Sequence, residues 1–477
     1  MSKLYVFGIG GTGSRVLKSL TMLLASGVMC KADTIVPIII DPDDSGADKT
    51  RTIDLMNQYM AIHDKLENNT EGKNKFFTTA IKPVEGMTNF IFPLQNTHNC
   101  KFKDFIQMSQ LDKESLALVN MLFSEKNLNS DMKVGFKGNP NIGSVVLNQF
   151  AGSQEYKAFA NGFEAGDRIF IISSIFGGTG ASGFPLLLKT IRTDKSSQAW
   201  KIISDAKVGA VTVLPYFNVE EDEKSGVDSA TFISKTKSAL AYYERNISQN
   251  GSIDALYYIG DNIKATYENH DGGSAQKNKA HLIELASALA VLSFASTDDA
   301  QLAGDTIHYE YGLDTTKTPK EQVLFKDLGK ESRDAIQKPL TQFILMNKYL
   351  MFTREKQYRV QPWAIDNKLD KNFFNGDFFQ AVTKVQHAYY EWLHEMAENE
   401  RSFKPFNEER TNPLFDIVNG KAASKYYPHL FTRNYALVDS ILNTPWRNWN
   451  KAATREQKFM ELFFRATEDL VEHKYNM

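Results

Sequence analysis

Short, largely apolar runs at residues 4–7, 35–40, 168–175, 208–214 and 255–259 read as buried strands. Helical patterns lie between them. After the first run, Val16, Leu20, Leu23 and Leu24 recur at helical spacing over 14–26, and Gly27 is placed to stop that helix. Strand, helix, strand in this order is a βαβ unit, so a parallel sheet is expected. Residues 45–130 read as helix and loop, and 229–246 as a helix. Residues 278–296 read as a helix that is apolar on most faces, which places it between layers or domains. At ~1.5 Å per residue it spans roughly 28 Å. Beyond it the pattern is less regular. Ile307–Tyr311 is a candidate strand, and 333–349, 372–397 and 455–471 read as helices. The expected organisation is α/β: residues 1–277, a central helix at 278–297, and a mixed α+β region at 298–477.

Composition narrows the function little. The chain has 477 residues, 42% hydrophobic and 23% charged, which is ordinary for a globular protein. A formal net charge of −2 gives no general attraction to nucleic acid or anionic membrane. Cys30 and Cys100, the only cysteines, make no disulfide framework and show no metal-ligand spacing. A cytoplasmic setting is expected, with no signal peptide and no membrane span. Trp363, Trp392, Trp446 and Trp449 read as core, with an interface as the alternative.

Glycine carries the candidate chemistry. The strand at 168–175 runs into Gly177-Gly178-Thr179-Gly180-Ala181-Ser182-Gly183 and then into a helical pattern from Phe184. A loop without Cβ atoms brings several backbone N–H groups close to one anion, and a helix N-terminus adds positive partial charge. A second such loop, Gly8-Ile9-Gly10-Gly11-Thr12-Gly13, follows the first strand. Alone it fits a dinucleotide-binding turn, with Asp41 ending the next strand where a ribose carboxylate would stand. One pyrophosphate does not need two glycine loops, and the chain has no Gly-Lys-Ser/Thr of a P-loop.

Together with Gly138-Asn139-Pro140-Asn141-Ile142-Gly143 and the Pro215-Tyr216-Phe217 turn, these loops resemble the tubulin/FtsZ superfamily of GTPases, in the same order along the chain. The likeness covers roughly residues 3–297 and is greatest to divergent bacterial tubulin-like proteins. It implies a parallel-sheet GTP-binding domain, a long central helix and a divergent C-terminal domain. Gly10, Gly11, Thr12 and Gly13 would cradle the α- and β-phosphates. Gly177, Gly178, Thr179 and Gly180 would form the main phosphate loop, and Asn139 and Gly143 the γ-phosphate loop. Asp41 and Asp43 would face Mg²⁺, directly or through water, with a solvated turn as the alternative for the Asp41–Asp44 cluster. Asn262 would contact base or ribose, or serve as a turn residue. Asn278 or His281 would make a second guanine contact, with a capping histidine as the alternative. In the superfamily, an acidic loop after the central helix completes the neighbour's site. Here Asp298, Asp299 and Asp305 are the candidates, without the family's Asn-x-Asp-x-x-Asp pattern. The resemblance thus implies GTP hydrolysis with head-to-tail self-assembly. The departure after Ser296 keeps open a slow nucleotide switch or scaffold that recruits a protein partner through the C-terminal region.

Overall fold

Seven strands form one sheet: β1 (Lys3–Ile9), β2 (Thr34–Ile40), β3 (Ala80–Ile81), β4 (Arg168–Ser174), β5 (Val208–Val213), β6 (Ala255–Ile259) and β7 (Ile307–Tyr311). Their order is β3-β2-β1-β4-β5-β6-β7, and every neighbouring pair is parallel. The computed structural model describes residues 2–43, 46–66, 76–97, 99–132, 135–136, 138–219, 229–262, 266–267, 277–312, 322–353, 358–407, 414–424, 434–444 and 454–477. The seventh strand comes from beyond the central helix, past the division expected at residue 298.

The helices that position the site are α1 (Gly10–Ala25), α2 (Ala47–Leu66), α3 (Pro140–Leu147), α4 (Gln154–Gly162), α5 (Gly178–Thr193), α6 (Ser229–Tyr243) and the central α7 (Leu282–Ser296). Three long helices lie beyond it, α8 (Lys330–Phe352), α9 (Asp377–Ala397) and α10 (Arg455–Tyr475). The strands are apolar throughout because helices cover both faces of the sheet. On one face, Phe159 of α4 meets the rings of Tyr5 and Phe7 edge-on. On the other, Phe294 of α7 packs on Phe170 and lies over Gly209, where a Cβ would come within 2.7 Å of its ring.

Helix starts differ from the sequence expectation. The first helix begins at Gly10 rather than residue 14, and α5 begins at Gly178, inside the glycine run. With no Cβ atoms in the way, α1 turns into helix directly at the end of β1, and α5 does so after the short Ile175–Gly177 link from β4. The central helix begins at Leu282, later than the expected 278, because His281 caps it. The His281 Nδ1 accepts from the Ile283 N–H at 3.1 Å, and Glu284 Oε2 accepts from the His281 N–H at 3.1 Å. This reciprocal pair is a capping box.

The C-terminal helices form a third layer outside α1 and α2. Trp392 is fully buried and its indole N–H donates to Ser19 Oγ at 3.1 Å. Phe343 of α8 and Phe464 of α10 both meet Phe76 edge-on. Trp363 is also buried, whereas Trp446 and Trp449 lie outside the described residues. Cys30 and Cys100 are free. Among the described residues no helix is long and apolar enough to cross a membrane.

Candidate functional site

The chain reverses its direction of travel across the sheet between β1 and β4, so the loops after these two adjacent strands flank a crevice at the C-terminal edge. In open α/β sheets that crevice is where ligands bind. Gly10 holds a φ of +70°, which only glycine adopts at little cost, and its missing Cβ would stand 3.5 Å from Thr179 Cβ. The two glycine loops therefore face each other. The third loop closes on them: a Cβ at Gly178 would lie 3.1 Å from the Asn139 nitrogen and 3.2 Å from that of Gly138. The N-termini of α1, α3 and α5 thus meet at one place. Ile9 and Gly177, which precede α1 and α5, supply no side-chain cap. The first-turn N–H groups of α1 and α5 lack intrahelical acceptors, and such groups suit an anion.

The glycines differ in the room around them. Gly10 and Gly11 have space beside them, whereas a Cβ on Gly177 would come 2.9 Å from Ser174 Oγ and one on Gly178 3.1 Å from the Asn139 nitrogen. Gly13, Gly143 and Gly180 are packed more closely still. A Cβ on Gly13 would overlap the Gly8 backbone, one on Gly143 would overlap Ser182 Oγ, and one on Gly180 would come 2.7 Å from the Ser174 carbonyl oxygen. Two hydroxyl side chains join the crevice loops. Thr12 is 8% exposed and its Oγ1 lies 3.4 Å from Arg15 Nη2, while Thr179 is half-buried.

Asp41 and Asp43 lie together past β2, and the Asp43 N–H donates to Asp41 Oδ1 at 3.0 Å. Withdrawal from water pushes the Asp41 carboxyl up to about 6. The Asp43 N–H and Lys49 oppose this, and the carboxylates of Asp43 and Asp48 add to it. Asp44 lies outside the described residues. Among the described residues no group of three or more His, Cys, Asp and Glu side chains is arranged to hold a metal.

A buried charge network behind the first glycine loop escaped the sequence reading. Arg15 donates through Nε to Glu284 Oε1 at 2.5 Å, through Nη1 to Asp48 Oδ2 at 3.0 Å and through Nη2 to the Tyr216 hydroxyl at 3.1 Å. Arg51 donates to Asp48 at 2.8 Å and to Glu395 of α9 at 2.5 Å. Lys18 reaches Glu395 at 3.2 Å. Three cations thus face three carboxylates across α1, α2, α7 and α9. Burial opposes the Arg15 charge, but Tyr216, Glu284 and Asp48 around it hold the guanidinium firmly protonated. The signal in the sequence was Arg15 and Lys18 on a helix with no exposed face, and Glu284 in an apolar one.

The network also engages the residues expected to read a base. Asn278 Nδ2 donates to Asp48 Oδ2 at 3.1 Å and its carbonyl accepts from Arg51 at 3.0 Å. His281 is the helix cap. Asn262 is exposed, on a cleft of about 850 Å³ shared with Leu214, Pro215 and Tyr258. The candidate acids lie at the other end of the sheet. Asp298 pairs with Lys31 at 3.3 Å and Asp299 with Arg168, the first residue of β4, at 2.6 Å; Asp305 is exposed. A strand of this length separates them from the glycine loops by about 20 Å.

No protein-family model and no curated protein matches the sequence. Among solved structures, the chain is similar to a point mutant of FtsZ from M. jannaschii, at 17% identity and a TM-score of 0.28, over 54% of this chain and 46% of that one. The match thus spans less than half the length of that FtsZ. The chain is also similar to CetZ2 from Haloferax volcanii in a GTPγS-bound protofilament, at 14% identity and a TM-score of 0.31, over 63% of this chain and 61% of that one. A third is CetZ1 from Haloferax volcanii as a GDP-bound monomer, at 14% identity and a TM-score of 0.32, over 64% and 66%.

This difference among the glycines can be tested by stability. Gly13→Ala is expected to destabilise the protein by about 2–4 kcal/mol in urea unfolding, through backbone overlap. Gly11→Ala, whose Cβ meets only Arg15 Nη1 at 3.5 Å, is expected to change stability by less than ~1 kcal/mol; equal losses would contradict the difference in room. A second prediction concerns acid. Burial pushes the His281 ring down from 6.5 to about 3, with Arg15 and Arg401 acting in the same direction. The folded value is depressed, so stability is full above pH 6.5 and falls as the pH drops toward 3, by about 1.4 kcal/mol per pH unit. His281→Asn keeps a capping acceptor without the titration. Its unfolding free energy is expected to decline less than that of the wild type between pH 6.5 and 4.5, where Asp41 contributes equally to both proteins.

Proposed function

We propose that the chain binds a nucleoside triphosphate, GTP by its sequence resemblance, hydrolyses it and assembles head to tail with the nucleotide between subunits. The observation that carries this reading is the meeting of three helix N-termini at the β1/β4 crevice. Backbone N–H groups at Gly10, Gly11, Gly177 and Gly178 would hold phosphate oxygens, and the Thr12 and Thr179 hydroxyls would add donors. Mg²⁺ would sit on the phosphates and water, with Asp41 or Asp43 as its protein contact. A bound cation there would favour the ionised form of Asp41. Its role would be to neutralise phosphate charge.

Hydrolysis needs a group to orient water, and Asp298, Asp299 and Asp305 lie too far away to serve their own site. In a head-to-tail stack on the same axis they would approach the crevice of the next copy. Such a heterologous contact builds a filament when it does not close. The ion pairs of Asp298 with Lys31 and Asp299 with Arg168 favour the second reading, a slow switch or scaffold that recruits a partner. Those acids must leave their partners before they can act elsewhere.

Turnover per molecule separates the two. Head-to-tail catalysis predicts GTP hydrolysis per subunit that rises steeply with protein concentration, alongside light scattering and filaments in negative stain. A rate per subunit that stays flat across a hundredfold concentration range would exclude a site completed by a neighbour. Thr179→Arg is expected to fill the crevice and weaken binding of a fluorescent GTP analogue by at least ~100-fold, with an unchanged circular dichroism spectrum. Unchanged affinity would show that the phosphate site lies elsewhere.

A further inference from the structure

Between β3 and α3 the chain makes a small insertion that the nucleotide site does not use. Its stem closes on itself: the Phe102 N–H donates to the Ser130 carbonyl at 3.0 Å and the Met132 N–H to that of Cys100 at 3.2 Å. Inside it, Phe102 and Phe123 meet edge-on at 4.8 Å. The helix Lys113–Leu122 lies on the outside. Leu116, Ala117, Leu118, Val119, Met121 and Leu122 make it largely apolar, yet none of its residues is buried. Leu118 is 56% exposed, Leu122 58% and Met121 84%. A helix this short is marginal in water and normally owes its stability to a buried apolar face. Its Asp112 cap, which accepts from the Ser115 N–H at 2.7 Å, contributes about 1 kcal/mol. Apolar side chains exposed together in this way mark a contact with another molecule.

The insertion is rooted at the crevice end of the sheet. Before it, the Phe92 N–H donates at 2.8 Å to the carbonyl of Ile39, near the end of β2. After it, a Cβ on Gly135 would stand 4.0 Å from Pro42, just past β2, and Phe136 lies against Gly178. The opposite end of the sheet has a matching feature. Met29, just past α1, is 83% exposed. With Val28, and with Leu289, Leu292 and Ser296 of α7, it lines a cleft of about 430 Å³. Lys31 ties α7 to this end by donating to the Ser296 carbonyl at 2.8 Å.

We propose that the helix Lys113–Leu122 seats against Met29 and its cleft on a second copy of the chain. The inference rests on the head-to-tail reading above and names two surfaces that would carry it. Projecting apolar side chains at one end and an apolar cleft at the other make a heterologous contact, which repeats instead of closing. The size of the helix argues for the same occupant. It is about 15 Å long, and one face of it cannot supply the ~800 Å² per partner that a stable contact buries. Two such helices paired with each other would make too small a dimer. Added to a crevice end stacked on a neighbour, the helix enlarges a contact instead of having to form one.

The test uses one variant at each end of the full chain, Met121→Glu/Leu122→Glu and Met29→Glu. All three side chains are exposed, so circular dichroism and binding of a fluorescent GTP analogue are expected to match the wild type. Assembly with GTP and Mg²⁺ is followed by light scattering and sedimentation velocity. Each variant alone is expected to need at least ~10-fold more protein to assemble. Mixed in equal amounts, the two are expected to form dimers that grow no further, because one intact helix and one intact cleft remain between them. Either variant assembling like the wild type would overturn the inference and leave the head-to-tail reading standing. Dimers of Met29→Glu alone would show the helix pairing with its own kind, and the inference would fall. A wild type that stays monomeric at every concentration would assign the helix to a different partner and overturn both.

Discussion

The closeness with which two helices leave two strands sets everything else in this molecule. Gly8 and Gly13 touch backbone to backbone, and Gly180 lies against Ser174 in the same way. Any side chain at these positions would push the helices away from the sheet edge. Because nothing intervenes, α1 starts where β1 stops, and α5 starts after the three residues that follow β4. Their unsatisfied N–H groups then converge on the one crevice that the strand order creates. In the proposed reading, anion binding here would rest on backbone packing more than on any charged side chain.

That geometry needs support from behind, and the buried ion network provides it. Six charged side chains balance one another across four helices, with Tyr216 and Asn278 adding further hydrogen bonds. Such a cluster contributes little net stability over an apolar one of equal volume, but losing one member is expensive. Its effect is to fix geometry. Thr12 is joined through Arg15 to the cap of the central helix, and through Asp48, Arg51 and Glu395 to the C-terminal layer. The first glycine loop is therefore tied to every layer on its side of the sheet.

Much of this was legible in the sequence. Strands 4–7, 35–40 and 208–214 stood out because parallel strands covered on both faces are continuously apolar. The crevice residues stood out because several glycines in one turn have few other uses. Helix starts were less legible: glycine is a poor helix former in isolation, and its value here lies in contacts across the sheet that local pattern does not encode. The roles of Gly13, Gly143 and Gly180 were hidden for the same reason. Asn278 and His281 stood out by their place at the start of the central helix, but their bonds to Asp48 and within the helix cap involve Arg51 and Glu284, which lie far from them or carry no motif. Arg15 and Lys18 carried a signal that periodicity alone does not use, since charge on a fully buried helix always implies a partner.

The placement of β7 and Trp392 has a consequence for how the protein is made. The last strand of the sheet is translated after the central helix, and the indole that covers α1 at Ser19 arrives 373 residues after its partner. A nascent chain long enough to contain both glycine loops still lacks a sheet edge and the outer layer over α1. Contacts this distant in sequence slow folding and prolong exposure of apolar surface. During synthesis the glycine-loop half therefore waits for the C-terminal helices, and the ribosome must deliver nearly the whole polypeptide before the crevice acquires its final shape.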